Sequence, residues 1–227
     1  MHVTISSESG ASPKPRAIFV ESAEEMAGIL AHDVNVAFLQ RSLPICQAEA
    51  YWRAAKQPWE NRVGLDLDRL DTGVATLVGS VQDSQARDYL EAEIEQWAWH
   101  FAKLADRRHI QAQLSSISSD LCRKFHTDFV DLRLLCTYSG PATEWLRDED
   151  VVRESLARFD IGLEEANRAI LRPGATVQRA MAGDVVLLKG DTWPGNEWLG
   201  AVQRSPPIEA DGERRRLLRL DTAGCSC

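Results

Sequence analysis

The residues best placed to do chemistry in this chain are His126, Thr127 and Asp128. Side chains alternate along an extended strand, so His126 and Asp128 point the same way and Thr127 the other. An imidazole and a carboxylate so placed can hold one side of a divalent metal ion, with a third ligand supplied by a distant strand. In a facial arrangement of two histidines and one carboxylate, three positions on Fe(II) stay open for other ligands. The same spacing also suits a His and an Asp that hydrogen-bond at a strand end. Spacing alone leaves both readings open.

Other residues could line such a site, and each has a plainer alternative. Arg214 and Arg216 share one strand face, with Arg215 on the other. A guanidinium on that face would grip a carboxylate bidentately, or simply carry solvated charge on an edge strand. Tyr138 could donate a hydrogen bond to the same carboxylate or pack inside. Glu144 and Trp145 follow a Gly140-Pro141 turn and could form a pocket mouth, although a tryptophan there also serves as a core plug. Lys189 offers a cation to an anionic ligand, or ends a strand in solvent. Trp193 to Glu197 (Trp-Pro-Gly-Asn-Glu) forms a loop that puts Trp193 and Asn196 at the pocket, since loops on a rigid scaffold commonly carry function.

These residues must be held by surrounding elements. The first half is predicted helical. Residues 22–32 carry apolar residues at helical spacing, with Ser22 and Glu25 in capping-box positions. Val34 to Leu39 suits a short strand, and Pro44 opens a helix through about Ala55. Ser84 to Arg108 is the strongest helix, with Tyr89, Leu90, Ile94, Trp97, Phe101 and Leu104 along one face. From His109 the pattern turns to short strands punctuated by Gly, Pro and Asp: 109–118, 132–138, 175–180, 185–188, 200–204 and 216–220. One helix, about Asp148 to Phe159, interrupts them. The expected layout is a lead-in over 1–16 without order, a mainly helical part over 17–108, a β-core over 109–221 and a flexible tail over 222–227. The class is α+β: a helical N-terminal part packed on an antiparallel β-unit of sandwich or barrel type.

Bulk properties narrow the partners. The chain has 227 residues, 44% of them hydrophobic, which is enough for one sizeable core. A net charge of −8 argues against nucleic acid as partner. No apolar run approaches the roughly 20 residues that span a bilayer. The polar N-terminus lacks the features of a secretory signal, so a cytoplasmic protein is expected. The five cysteines are then reduced thiols, with Cys122 and Cys136 acting as small hydrophobes. Cys225 and Cys227 suit a soft metal or a disulfide, or lie in a frayed tail.

The order H-x-D, strand, Gly-Pro turn, Ala182-Gly183-Asp184 before a strand, and a basic strand at 214–220 resembles the double-stranded β-helix of 2-oxoglutarate/Fe(II) dioxygenases of the prolyl-hydroxylase type, a cupin-like jelly roll. More closely, residues 33–221 resemble the bacterial family named domain of unknown function 1826. The matching segments are Phe125 to Asp128, Leu134 to Tyr138, Gly140 to Leu146, Leu187 to Gly190, Trp193 to Glu197 and Arg204 to Pro207. The first resemblance implies Fe(II) held by His126, Asp128 and the residue before Arg204, with 2-oxoglutarate as cosubstrate bound by Arg216 or Arg214. The second implies an accessory role in metal homeostasis, with zinc as an alternative metal and no enzymatic activity. Where the pattern expects a second histidine, this chain has Gln203, whose amide oxygen is a weaker donor than imidazole. Neither His100 nor His109 replaces it well, because nine residues apart they lie on opposite sides of a helix. The substrate, a small molecule or a protein, is not specified by these features.

Overall fold

Runs such as Val185-Val186-Leu187-Leu188 and Leu132 to Tyr138 are apolar at nearly every position, as strands buried on both faces must be. The computed structural model describes residues 16–54 and 58–222, so most of the expected lead-in, His2 and the Cys225–Cys227 pair lie outside it. In chain order the strands are Arg16–Val20 (β1), Val34–Leu39 (β2), Trp59–Asp66 (β3), His109–Ile117 (β4), Leu132–Ser139 (β5), Glu144–Leu146 (β6), Gln178–Arg179 (β7), Val185–Lys189 (β8), Val202–Arg204 (β9) and Arg215–Thr222 (β10). The helices are Ile45–Ala54 (α1), Leu70–Leu77 (α2), Ser84–Leu104 (α3) and Leu163–Ile170 (α4).

Seven strands form the main sheet in the order β1-β2-β8-β5-β10-β4-β3, and β7-β6-β9 form a smaller one. The two sheets enclose a jelly-roll interior built from Val36, Phe38, Leu135, Trp145, Val186 and Leu188. On its other face the main sheet carries a larger core, where Leu132, Leu134, Cys136, Val185, Leu187, Leu218 and Leu220 meet Leu90, Ile94, Trp97 and Phe101 of α3. A third, small core behind the minor sheet joins Phe125, Leu146 and Val202 to Ile170 of α4.

Residues 17–108 are therefore not simply a helical layer, because they supply three of the seven strands. β3 runs antiparallel to β4 from Trp59 opposite Ser116 to Asp66 opposite His109, so no break falls at residue 109. The alternation of Asn61, Val63 and Leu65 with Glu60, Arg62 and Gly64 is the signal for this strand. Ser22 and Glu25 do not form the expected capping box: the Glu25 amide donates to Ser22 Oγ at 3.3 Å, but Glu25 Oε2 accepts from the Glu21 amide at 3.0 Å and the N-cap residue is Ala23. The element is a 3-10 helix over Glu24–Leu30, with Met26 and Ile29 as its buried residues. The long helix α3 is capped by Asp83, which accepts from the Ala86 amide at 2.9 Å. The helix expected at 148–159 is two 3-10 turns, Asp148–Asp150 and Arg153–Ala157. The true helix in that region, α4, comes later and buries Ala166, Asn167 and Ile170. No helix of the described residues is long and apolar enough to cross a membrane.

Candidate functional site

His126 and Asp128 do not sit on a regular strand. His126 makes one isolated bridge to Gln203 of β9, with backbone hydrogen bonds of 3.0 and 2.9 Å in both directions, and the chain then turns through 127–131 into β5. The bridge brings all three candidate ligands together. His126 Nε2 lies 3.0 Å from Gln203 Nε2 and 3.6 Å from Asp128 Oδ1, and Gln203 Nε2 lies 3.2 Å from Asp128 Oδ2. Two donors bound at right angles, each about 2.1 Å from a small divalent ion, stand about 3 Å apart. The spacings of Gln203 from His126 and from Asp128 Oδ2 fit that requirement once the Gln203 oxygen takes the place of its nitrogen, whereas the 3.6 Å edge is to the Asp128 oxygen that Arg133 also holds.

The tautomer is also suited to a metal. His126 Nδ1 lies 2.8 Å from the Lys124 carbonyl and must donate to it, which leaves Nε2 facing the cluster. Gln203 presents its amide nitrogen, and a half-turn of the amide presents oxygen instead. A protonated imidazole favours that flip, because only the oxygen can accept from Nε2–H. Among the described residues no group of three or more His, Cys, Asp and Glu could hold a metal, so a metal here needs the Gln203 amide.

The main electrostatic feature of the site is a residue the sequence reading passed over. Arg133, on β5, binds both oxygens of Asp221 (2.7 and 3.0 Å) and reaches Asp128 Oδ1 with its remaining nitrogen. Arg219 adds a contact of 3.1 Å to Asp221. Burial raises the Asp128 pKa, but His126, Arg133 and Gln203 more than offset this and hold it below the usual carboxylate value. For His126 burial acts downward, and the hydrogen bond and charge of Asp128 outweigh it, so its pKa is raised. The charged pair stabilises the fold fully below the ordinary imidazole value of about 6.5 and loses that contribution as pH rises through the raised value. An NMR titration of the His126 ring should give a midpoint above 6.5 that drops in Asp128→Asn, where burial and the Arg133 charge act downward and only the Lys124 carbonyl acts upward; equal midpoints would contradict this account.

The other sequence candidates are dispersed by strand alternation. Trp145 does face the jelly-roll interior, 1% exposed, with Nε1 unpartnered. Glu144 faces the opposite way, held by Arg179 (2.8 Å) and Arg204 (2.7 Å). Tyr138 belongs to the helix-side core, its ring 4.9 Å from that of Tyr51. Lys189 is on the same side, donating to the Ala31 carbonyl at 2.7 Å beside Trp193. Trp193 packs against the helix-side core. Asn196 is a loop brace that donates to the Gly190 carbonyl at 3.1 Å. Arg216 also faces the helix side, over the Trp59 ring at 4.7 Å. Arg214 precedes β10, and its carbonyl is packed against Gly140.

Arg215 is the basic residue that enters the jelly roll. It is 1% exposed, and its Nη2 lies 3.4 Å from Thr137 Oγ1 and 3.3 Å from Thr143 Oγ1. Its Nε and Nη1 have no hydrogen-bond partner, and no carboxylate among the described residues pairs with it. Burial alone pulls its pKa down to about 10. Register explains the choice of arginine. Leu217, Arg219 and Asp221 face the interior, and the unbroken pairing of β10 with β4 carries that alternation to Arg215, whereas Arg216 alternates outward. Thr137 and Arg133 lie four residues apart on one face of β5, about 13 Å along the strand.

The fold is similar to that of the dioxygenase for auxin oxidation 1 from Arabidopsis thaliana, solved with 2-oxoglutarate. Identity is 9%, the TM-score 0.53, and 93% of each chain is covered. A bsmA homolog from Methylobium petroleophilum is similar at 10% identity and a TM-score of 0.50, over 92% of this chain and 96% of its own. At such identities the likeness is one of fold. No curated protein matches the chain in sequence. The model of a protein family of unknown function, DUF1826, does match it over residues 21–221, and the chain belongs to that family.

Proposed function

We propose that this protein is an oxygenase dependent on Fe(II) and 2-oxoglutarate, in which His126, Asp128 and Gln203 hold the metal and Arg215, with Thr137 and Thr143, holds the far carboxylate of the cosubstrate. The carrying observation is Arg215: a guanidinium wholly buried in the jelly roll without an anion. Burying a charge unpaired is costly unless an opposite charge joins it. A carboxylate would accept from its fork and from both threonine hydroxyls.

Ferrous iron would supply the capacity to activate dioxygen. The chain's own residues do the rest. Lys124 fixes the ring of His126, Arg133 takes one oxygen of Asp128 and leaves the other for the metal, and Gln203 turns its amide oxygen inward. Arg215 sets the orientation of the dicarboxylate, and Leu135, Val186 and Leu188 keep water from the interior.

A second reading is a binding module without turnover, favoured by the direct engagement of Asp128 by Arg133 and by the weak third donor. Anaerobic calorimetry with Fe(II) and 2-oxoglutarate separates the two. Wild type should bind 2-oxoglutarate with a visible charge-transfer band, Arg215→Leu should weaken binding about 100-fold, and Arg216→Leu should change it little. If wild type binds 2-oxoglutarate without the band, the module reading prevails. Binding unaffected by Arg215→Leu, or none in wild type, would overturn the assignment of Arg215.

A further inference from the structure

Strands β4 and β3 extend the main sheet beyond the jelly roll, and their site-side face is polar, exposed along β3 and at Gln111 and buried at Gln113 and Ser115. Glu60, Arg62 and Gly64 of β3 and Gln111 of β4 are exposed there. Gln113 stands directly opposite Arg219 of β10 on one side and Arg62 of β3 on the other. These three side chains therefore form one cross-strand row, with adjacent Cβ atoms about 5 Å apart. Arg219 connects the row to the site through Asp221 and Arg133 to Asp128.

Two groups on this face lack partners. Gln113, 8% exposed, donates through Nε2 to Glu60 Oε2 at 2.8 Å, which fixes its amide and leaves Oε1 with nothing to accept from. Ser115, two residues along β4 on the same face and 1% exposed, has an unpartnered hydroxyl. Across the site and this ledge, the guanidinia of Arg62, Arg133, Arg215 and Arg219 outnumber the carboxylates of Glu60, Asp128 and Asp221 by one. A divalent metal and a dianionic cosubstrate would cancel each other and leave that single positive charge for the substrate.

We infer that the β3–β4–β10 ledge is the primary-substrate site, and that it takes a small organic monoanion carrying a hydrogen-bond donor beside its acid group. The acid lies between Arg62 and Arg219, and the donor is accepted by Gln113 Oε1. This inference rests on the oxygenase reading for its chemistry but not for its binding test.

Saturation-transfer NMR on the full chain with N-acetylglycine, and with N-acetylglycinamide as the neutral control, reads out the ledge directly. The acid should bind and the amide should not. Arg62→Gln and Arg219→Gln should each weaken the acid about ten-fold. Arg62 is exposed and paired only with neighbouring Glu60, so its replacement keeps the test valid if Arg219→Gln unfolds. 2-Oxoglutarate affinity should be unchanged in Arg62→Gln. Equal binding of acid and amide, no binding of the acid at tens of millimolar, or an Arg62→Gln variant that binds as wild type would each overturn the ledge. Failure of wild type to bind 2-oxoglutarate would instead remove the oxygenase reading and leave an Arg62-dependent acid site in place.

Discussion

Arg133→Met is expected to lower stability by about 3 kcal/mol, because it takes the shared guanidinium from two buried carboxylates and leaves Asp221 only Arg219 and Asp128 only His126 and Gln203 among the described partners. Asp128 and Asp221 are 7% and 5% exposed, and Arg133 contacts both. Methionine fills much of the space but returns no charge and no donor. In a chain of this length such a loss lowers Tm by roughly 10 °C. The effect has a pH signature. In wild type, Asp128 has a lowered pKa, so its contribution is present above the unfolded carboxylate value of about 3.9 and is lost as pH falls through the folded value. Without Arg133, His126 and Gln203 still lower Asp128 against its burial, but by less, so the variant loses less than wild type as pH falls. Urea unfolding at pH 7 and pH 4.5 should show a wide gap that narrows in acid. A gap under about 1 kcal/mol at pH 7, the range of an exposed ion pair, would mean Arg133 is not the buried clamp described.

Gly190→Ala should damage the site through the backbone alone. A Cβ at position 190 would sit 2.1 Å from the Val130 carbonyl oxygen and 2.5 Å from that of Asp128. Neither is a flexible side-chain end, and both belong to the turn that aims Asp128. The end of β8 is tied to this turn by the Gly190 amide to Asp131 (3.0 Å) and the Asp191 amide to Asp128 (2.9 Å). The methyl therefore forces the two segments apart, at a cost of about 3 kcal/mol. Divalent-metal affinity, followed by Mn(II) electron paramagnetic resonance, should fall at least ten-fold, while the control Gly162→Ala, with open space around it and φ of −61°, should leave affinity unchanged. Unaltered metal binding in Gly190→Ala would show that the turn does not set the ligand geometry.

The sequence made the metal-ligand candidates legible because two were adjacent on the chain and the third was marked by its departure from the family pattern. Their convergence at 3.0–3.6 Å depends on the His126–Gln203 bridge, a contact between residues 77 positions apart that no local pattern encodes. Strand faces were harder. Arg214-Arg215-Arg216 offers two faces at equal sequence cost, and only the pairing of β10 with β4 decides that Arg215 enters the interior. Glu144, Tyr138 and Lys189 were misplaced for the same reason, since each sits one position from a residue that does face inward. β3 was missed although its alternation is clear over eight residues. α4 was missed because its amphipathic signal is only two turns long. Arg133 was hidden by its setting: a lone charge in a run of leucines looks like an edge residue until Asp221 appears opposite it.

The placement of β1 and β2 has a bearing on how the molecule is made. Among the described strands they come first in the chain, yet β2 hydrogen-bonds to β8, with Val36 opposite Leu188 and Leu39 opposite Val185. Closing a loop that long is entropically slow, and non-local pairing of this kind lowers folding rates. Until β8 is synthesised, the apolar β2 has an open edge and must be kept from strangers. Chain order and assembly order are thus at odds among the described strands: β2 waits for β8, and the interior that Arg215 enters closes only after β10 has been made.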